Sequence, residues 1–252
     1  MSQLDDSLVN RAAAPGSMRY FSLLYAPEAK REAIRALYVI DAEIRQSAQN
    51  ASHDVAHTRL QWWRAEVDRL VNGNPQHPAT RVLQESSTGG LGALAKLHEP
   101  LVAADMDLAR MTYSNQQELR AYCSRSGGAI TELIAAQLAD PEPLEETTRA
   151  AANRIGIGVR ESEILRDLRQ DACEGRIYLP LDELKRNGVE VDALRSREVV
   201  PQLREALTSF RRAASADLQP PEAARRNGAL RPLCVLAALH ARLLDRIAKR
   251  HY

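Results

Sequence analysis

Hydrophobic residues recur along this chain at three- and four-residue steps, the spacing of one face of an α-helix. Longer segments rich in Ala, Leu, Arg and Glu favour further helices over Leu60–Leu70, Glu118–Leu138 and Glu145–Leu168. The spacing is clearest near the start and the end of the chain, at Ile34, Leu37, Tyr38 and Ile44, and at Leu236, Leu239, Leu243 and Ile247.

Prolines and glycines lie mostly between these periodic segments, where they end helices. No stretch alternates between apolar and polar residues for long enough to predict a sheet. Gly127-Gly128 and Gly156-Ile157-Gly158 lie inside helical segments, where close helix packing or cavity shape is the expected reason for glycine. The pattern predicts one all-α domain of about eight to ten helices.

The charge balance argues against one class of partner. Lys and Arg total 34 against 33 Asp and Glu, a formal net charge of +1, so bulk charge does not favour nucleic acid. Aromatic residues make up only 4% of the chain, too few for the stacking platforms that bind single strands. We therefore expect no nucleic-acid partner.

Cysteine usage and the N-terminal residues bear on the compartment. Cys123, Cys173 and Cys234 lie far apart, which excludes a disulfide framework and a C-x-x-C zinc site. The first residues carry two aspartates and no apolar run, unlike a secretory signal, and no segment approaches the roughly 20 apolar residues of a membrane span. We expect a cytoplasmic protein.

One segment carries a pattern with chemical meaning. Glu163, Asp167 and Asp171 follow one another at four-residue steps, which places three carboxylates in one stripe on a helix. Mg²⁺ prefers oxygen ligands and commonly bridges carboxylates to phosphates, so the stripe is a candidate magnesium–diphosphate site. The alternative is a solvated acidic face that neighbouring arginines neutralise: Arg160, Arg166 and Arg169.

The run I-L-R-D-L-R-Q-D-A-C-E-G-R-I-Y-L-P resembles the second aspartate-rich motif of the squalene/phytoene synthase family, roughly N-I-L-R-D-x-x-x-D followed by G-R-I-Y-L-P. The similarity spans Ser17 to Tyr252, so we expect a domain over 17–252 after a flexible N-terminus, 1–16. The other similar segments are Pro27–Tyr38, Arg59–Leu70 with Trp62-Trp63-Arg64, Met106–Leu108, Tyr122-Cys123 and Leu243–Ile247.

The resemblance implies an all-α isoprenoid-synthase helix bundle around a central apolar cavity. Two aspartate-rich helices face each other there, and each binds a prenyl diphosphate through Mg²⁺. Neutralising the leaving diphosphate and shielding the carbocation from water let two chains join head to head. The implied cofactor is Mg²⁺, with NADPH needed only for a squalene-type reduction.

Residue by residue, the resemblance assigns roles along the second motif and around it. His240 stands where the family has tyrosine, although a core histidine is the simpler interpretation. The expected catalytic residues are Asp167, Asp171 and Tyr178; the metal ligands are Glu163, Asp167 and Asp171; and the substrate-binding residues are Arg45, Tyr122, Arg160, Arg176 and His240.

The first motif departs from the family. Where the family has C-R-x-x-D-D-x-x-D, this chain has D-A-E-I-R-Q-S-A-Q from Asp41, so two metal-binding aspartates become Arg45 and Gln49. A guanidinium reverses the sign where a cation binds. Three alternatives follow: Asp41 and Glu43 form a shifted acidic site, Asp41 pairs with Arg45 one turn away, or Arg45 contacts a diphosphate directly.

The stretch Y-V-I-D-A-E-I-R-Q resembles a divergent branch of the family that has lost this motif and includes a mitochondrial assembly factor of respiratory complex I. Two hypotheses result. The first is a binding or assembly protein that takes one prenyl diphosphate or similar lipid through one magnesium–carboxylate site, with a protein partner or peripheral membrane contact. The second is an active Mg²⁺-dependent prenyltransferase that joins two farnesyl or geranylgeranyl diphosphates. Asp41 and Glu43 facing Asp167 would favour the enzyme.

Overall fold

The computed structural model describes residues 4–49, 52–88, 90–222 and 230–250. These residues form α-helices joined by loops and contain no β-strand, which confirms the predicted fold class. Short helices raise the number above eight to ten, because six or seven residues are too few to show a period. The helices are α1 Asp6–Ala12, α2 Met18–Leu23, α3 Glu28–Ala48, α4 His53–Val71, α5 Pro78–Ser86, α6 His98–Leu108, α7 Gln116–Cys123, α8 Ala129–Ala139, α9 Glu146–Cys173, α10 Leu181–Arg186, α11 Pro201–Asp217 and α12 Arg231–Lys249.

Two long helices organise the core. Helix α3 begins after Pro27 with Glu28 in its first turn, a start that suits the helix dipole, and packs against α1, α4, α5, α6 and α8. Helix α9 packs against α7, α8, α11 and α12. Apolar side chains such as Ile40 and Ile164 are fully buried along these helices, so the polar groups between α3 and α9 lie deep in the bundle.

The crossing of α8 and α9 depends on glycine. A π-helical turn, Ser124–Gly128, joins α7 to α8, and there a Cβ on Gly127 would lie 2.2 Å from the carbonyl oxygen of Gly156. A Cβ on Gly156 would lie 2.2 Å from Thr131 Oγ1, whose hydroxyl donates to the Ala152 carbonyl at 2.7 Å. The prediction that these glycines serve close packing is confirmed.

The N-terminal segment contains a short helix. The flexibility expected of residues 1–16 stays a prediction; in the described part, Leu4 is buried and α1 packs on α3. Asp5 caps α1 by accepting a hydrogen bond from the Ser7 amide at 2.8 Å, and apolar Ala12 and Ala13 close the contact. Among the described helices, none combines the length and apolar composition needed to cross a bilayer.

Candidate functional site between α3 and α9

A chain of ion pairs begins at Asp41, whose side chain is completely buried in α3. Arg45, one turn later, donates from Nε to one Asp41 oxygen at 2.9 Å, and Arg19 of α2 donates to the other. The pairing of Asp41 with Arg45, one of the three alternatives, is therefore what the structure shows. Asp41 has no free oxygen facing α9.

Arg45 extends this series of ion pairs from α3 to α9. Its Nη1 donates to Glu163 Oε2 at 2.8 Å, and Arg160 Nη1 lies 3.6 Å from the same oxygen. Burial by itself raises the pKa of Glu163, but Arg45 and then Arg160 hold that pKa well below its ordinary value. Burial opposes the charge of Arg45, yet Asp41 and Glu163 raise its pKa. Both partners are charged, and their bond joins the two helices.

Arg160 also lies against a cluster of tyrosines. Its guanidinium is 5.4 Å from the ring centre of Tyr122 and 5.1 Å from that of Tyr178, and Nη2 donates to the Tyr122 hydroxyl at 2.6 Å. Both hydroxyls donate to Asp107, at 3.0 Å from Tyr122 and 2.8 Å from Tyr178. Burial raises the pKa of both tyrosines, so they remain neutral donors.

Helix α12 contributes His240, which contacts Ser162 of α9. Its Nδ1 is 2.6 Å from the hydroxyl of Ser162, which itself donates to the Val159 carbonyl at 2.7 Å. Since the only hydroxyl proton goes to Val159, His240 must donate from Nδ1. Burial lowers the pKa of His240 to about 4, so the ring is neutral near pH 7. The simpler interpretation, a satisfied core histidine, fits this geometry.

Each of the two aspartates of the second motif forms an ion pair with a different arginine. Asp167 is bound by both Nε and Nη2 of Arg166, at 2.8 and 2.5 Å, near the surface. Asp171 is more buried and accepts from Arg176 Nε at 3.0 Å. Burial raises the pKa of Asp171, and Arg176 opposes that rise.

These contacts test whether the residues fit magnesium. Glu163, Asp167 and Asp171 each face an arginine. Arg45 in α3 and Gln49 just after it stand where the resemblance implies metal-binding aspartates. In the described part of the chain, no group of three or more His, Cys, Asp or Glu side chains is placed to hold a metal ion. Because guanidinium groups already neutralise the oxygens that Mg²⁺ requires, the arrangement does not fit a magnesium centre.

Glu43, the other half of the expected shifted site, lies elsewhere. Its carboxylate is 3.6 Å from His77 and 3.4 Å from Arg11, beside a cavity of about 440 Å³ that Trp62 and Trp63 also line. A hydrogen bond from His77 lowers the pKa of Glu43. The arrangement that would favour the enzyme, with both acids facing Asp167, is therefore not formed.

A cavity of about 520 Å³ opens where α3, α6 and α9 end. The Arg110 backbone is left-handed, with φ of 50°, and its guanidinium packs against Gly175, where a Cβ would lie 3.2 Å from Nη1. Gly175 belongs to the G-R-I-Y-L-P run, and its own φ of 83° suits glycine. The lining residues are Ala48, Gln49, His53, Asp107, Leu108, Arg110, Glu174 and Arg176.

The two arginines of this cavity differ in their partners. Arg176 binds Asp171 and Glu174, whereas the Arg110 guanidinium has no ion-pair partner among the described residues. An unpaired, always charged guanidinium at a cavity mouth is suited to an anion. Sequence reasoning placed Arg176 near a diphosphate but missed Arg110, Arg19 and the role of Asp107. The available signal for Asp107 was its place in the Met106–Leu108 segment that resembles the family; Arg110 lies beyond the end of α6 and carried no signal in the sequence.

A sequence model described as "Squalene/phytoene synthase" matches residues 12–252. The chain belongs to this family. The resemblance read from the motifs is thus confirmed, while the proposed divergent branch stays a prediction. Phytoene synthase of Mycobacterium tuberculosis is 30% identical over 173 residues, with 68% of this chain and 56% of that protein covered.

Other relatives and solved structures agree. The chloroplastic phytoene synthase of an Oncidium hybrid cultivar is 28% identical over 239 residues, covering 92% of this chain and 58% of its own length. The chain thus spans somewhat more than half of these relatives. A squalene synthase, HpnC, from Alicyclobacillus acidocaldarius superposes with a TM-score of 0.80 at 19% identity, covering 98% of this chain and 94% of that one. A ligand-bound dehydrosqualene synthase gives 0.82 at 19%, with 98% and 86% covered. At that identity the two structures support the fold.

Proposed function

We propose that this protein binds one prenyl diphosphate, or a related isoprenoid anion, and does not condense two of them. The observation that carries the proposal is the 2.8 Å bond between Arg45 and Glu163. In the family reaction, as the sequence resemblance implies it, two diphosphates depart from metal sites on facing helices. Here one helix presents a cation, and a carboxylate of the other helix already neutralises that cation.

Electrostatics argue against a second diphosphate at this place. To enter, it would have to displace Glu163 from Arg45 and from Arg160, leaving a buried carboxylate beside a new anion. Ionisation also requires compensation of the charge that develops on the leaving group. The three guanidinium groups of this network are balanced by three carboxylates: Asp41, Glu163 and, through the tyrosine hydroxyls, Asp107. This part of the molecule therefore supplies no surplus positive charge.

The cavity of Arg110 and Arg176 is the proposed diphosphate site. Planar guanidinium groups bind phosphate oxygens in pairs, and Arg110 is available without breaking an ion pair. Ala48 and Leu108 add apolar wall for the start of an isoprenoid chain. Because the carboxylates do not fit Mg²⁺, we expect binding without metal. Action as a binding or assembly protein, with a protein partner or peripheral membrane contact, is part of the same proposal.

Equilibrium binding tests the site. The full chain is titrated with farnesyl and with geranylgeranyl diphosphate, once with Mg²⁺ and once with a chelator. At the cavity of Arg110 we expect one ligand under both conditions, bound at least about tenfold more weakly in Arg110→Ala. Arg186→Ala is the matched control, because Arg186 pairs only with Asp182 and Glu183 on its own helix. Two ligands that are both weakened in Arg110→Ala, or strict dependence on Mg²⁺, would contradict the proposal.

Turnover tests the competing hypothesis, which the intact run from Asp167 to Pro180 favours. The protein is incubated with the same diphosphates and Mg²⁺, with and without NADPH, beside an Asp167→Asn/Asp171→Asn variant. We expect no hydrocarbon from either. A head-to-head product that the double substitution abolishes would establish a prenyltransferase and reject a role limited to binding.

A further inference from the structure

A groove with an apolar floor lies between α9, α11 and α12. Its volume is about 280 Å³. Leu165 and Leu168 of α9, Leu203 and Leu207 of α11, and Ile247 of α12 form much of its floor. Leu203 and Leu207 are almost completely buried, at 2% and 1% exposure, so the floor lies well below the rim.

The rim of this groove is unusually one-sided in charge. Arg166, Arg169, Arg197 and Arg250 line it, and no acidic residue does so in the described part of the chain. The cavities at Trp62 and at Arg176 differ, since Glu43 lines the first, and Asp107 and Glu174 line the second.

Most of these arginines lack a carboxylate partner. Arg166 is neutralised by Asp167, but Arg169 donates only to the Arg195 carbonyl, at 3.2 Å. Arg197 and Arg250 form no ion pair within the described ranges. Arg169, Arg197 and Arg250 therefore line the apolar groove without a carboxylate to neutralise them. Such a groove favours a ligand that has an anionic head group and a hydrocarbon chain.

The start of α11 adds to this positive field. Helix α11 begins beside the groove at Pro201, with no side-chain cap and no acidic residue in its first turn. Its first amides and its dipole therefore favour negative charge at the same end as Arg197. The recess also limits the occupant: a bilayer surface needs protruding apolar side chains, whereas this floor is reached only by a slender chain.

We propose that the groove is a binding site for a single-chain amphiphile with an anionic head group, a carboxylate or phosphate on a linear hydrocarbon. The hydrocarbon lies on the leucines of α9 and α11, and the head group is bound by Arg197 and Arg250. This site is separate from the cavity of Arg110 and does not depend on the function proposed for that cavity.

The test is a calorimetric titration of the full chain with dodecyl phosphate below its micelle concentration. Saturable binding is expected, at least about tenfold weaker in Arg197→Ala/Arg250→Ala. Arg212→Ala/Arg242→Ala is the matched control, since both arginines are exposed, lie outside the groove and remove equal charge. That control and Arg110→Ala should retain the wild-type affinity.

Other outcomes would overturn the proposal. Equal losses in both arginine pairs would indicate nonspecific attraction, and loss in Arg110→Ala would place the ligand in the other cavity. Inorganic phosphate binding as tightly as dodecyl phosphate would remove the role of the apolar floor. Binding to phosphatidylglycerol vesicles without binding to the dispersed probe would make this a membrane surface instead.

Discussion

The buried centre between α3 and α9 and the groove between α9, α11 and α12 both contain clustered arginines. The two clusters differ in whether carboxylates neutralise those arginines. In the centre, Arg19, Arg45 and Arg160 meet Asp41, Glu163 and Asp107 through direct or tyrosine-bridged contacts. In the groove, Arg197 and Arg250 meet no carboxylate of the described residues. The difference teaches that arginine clusters must be interpreted by their partners: matched charges hold helices together, and unmatched charges are available to ligands.

Removing one partner from the centre should have the largest effect. Glu163→Ala leaves Arg45 and Arg160 without their shared carboxylate, and we expect a loss of about 3–5 kcal/mol in the free energy of unfolding. Asp167→Ala, one turn later, removes a partly exposed pair and should cost less than about 1 kcal/mol. Urea unfolding measures both. Equal costs would mean that the central pair is not a structural link.

A buried acid that forms no ion pair with the described residues extends the comparison. Glu161 is fully buried, and burial raises its pKa to about 8, although Gln116 donates to it at 2.8 Å. The folded state therefore holds a proton that the unfolded chain releases near pH 4.5. Its stabilising contribution is complete below that pH and is lost as the pH rises towards 8.

Glu161→Gln removes this titration. Relative to wild type, the variant should gain stability by a few kcal/mol between pH 4.5 and 8, with no further gain above. Unfolding curves at pH 5, 6.5 and 8 give the difference directly. Parallel pH profiles would show that Glu161 is ionised in the folded protein.

Packing, as distinct from charge, is tested at the α8–α9 crossing. Gly156→Ala forces a methyl group against Thr131 Oγ1 and the Gly127 carbonyl, so we expect a cost of about 1–3 kcal/mol. Gly92→Ala is the control, because no atom lies within 4 Å of its added Cβ. A harmless Gly156→Ala would show that the helices can separate without loss of stability.

The groove arginines should matter least for folding. Arg197→Ala/Arg250→Ala removes exposed groups without ion pairs, and its free energy of unfolding should stay within about 0.5 kcal/mol of wild type. The same urea titration checks this. A large loss in the free energy of unfolding would mean that these arginines stabilise the fold, as the arginines of the buried centre do.

The local pattern predicted the helices and the family, because helical period and the motif around Asp167 are properties of contiguous sequence. For Asp41 and for the acidic stripe, however, it left two kinds of partner open, a metal ion or neighbouring arginines. Choosing between them required knowing which side chain lies across the gap, and Arg45 meets Glu163 over a separation of 118 residues. Contacts of that range leave no periodic signal in one sequence.

Helix α1, which the sequence pattern did not predict, shows the same limit. Asp5 and Ser7 already form a capping pattern, but seven helical residues are not stable alone in water. Helix α1 exists because Leu4 and Ala12 pack on α3, and that docking surface is formed by residues far along the chain. A short helix that depends on tertiary packing is therefore hard to distinguish from a loop in sequence.

The Arg45–Glu163 bridge also restricts which substitutions the chain tolerates. Arg45→Asp alone would place the carboxylates of positions 41, 45 and 163 around one buried gap, and like charges there destabilise the fold. The intermediate would lose stability before any metal site could bind a substrate. Positions 45 and 163 are therefore expected to change together, and an acidic residue at position 45 would need several substitutions at once.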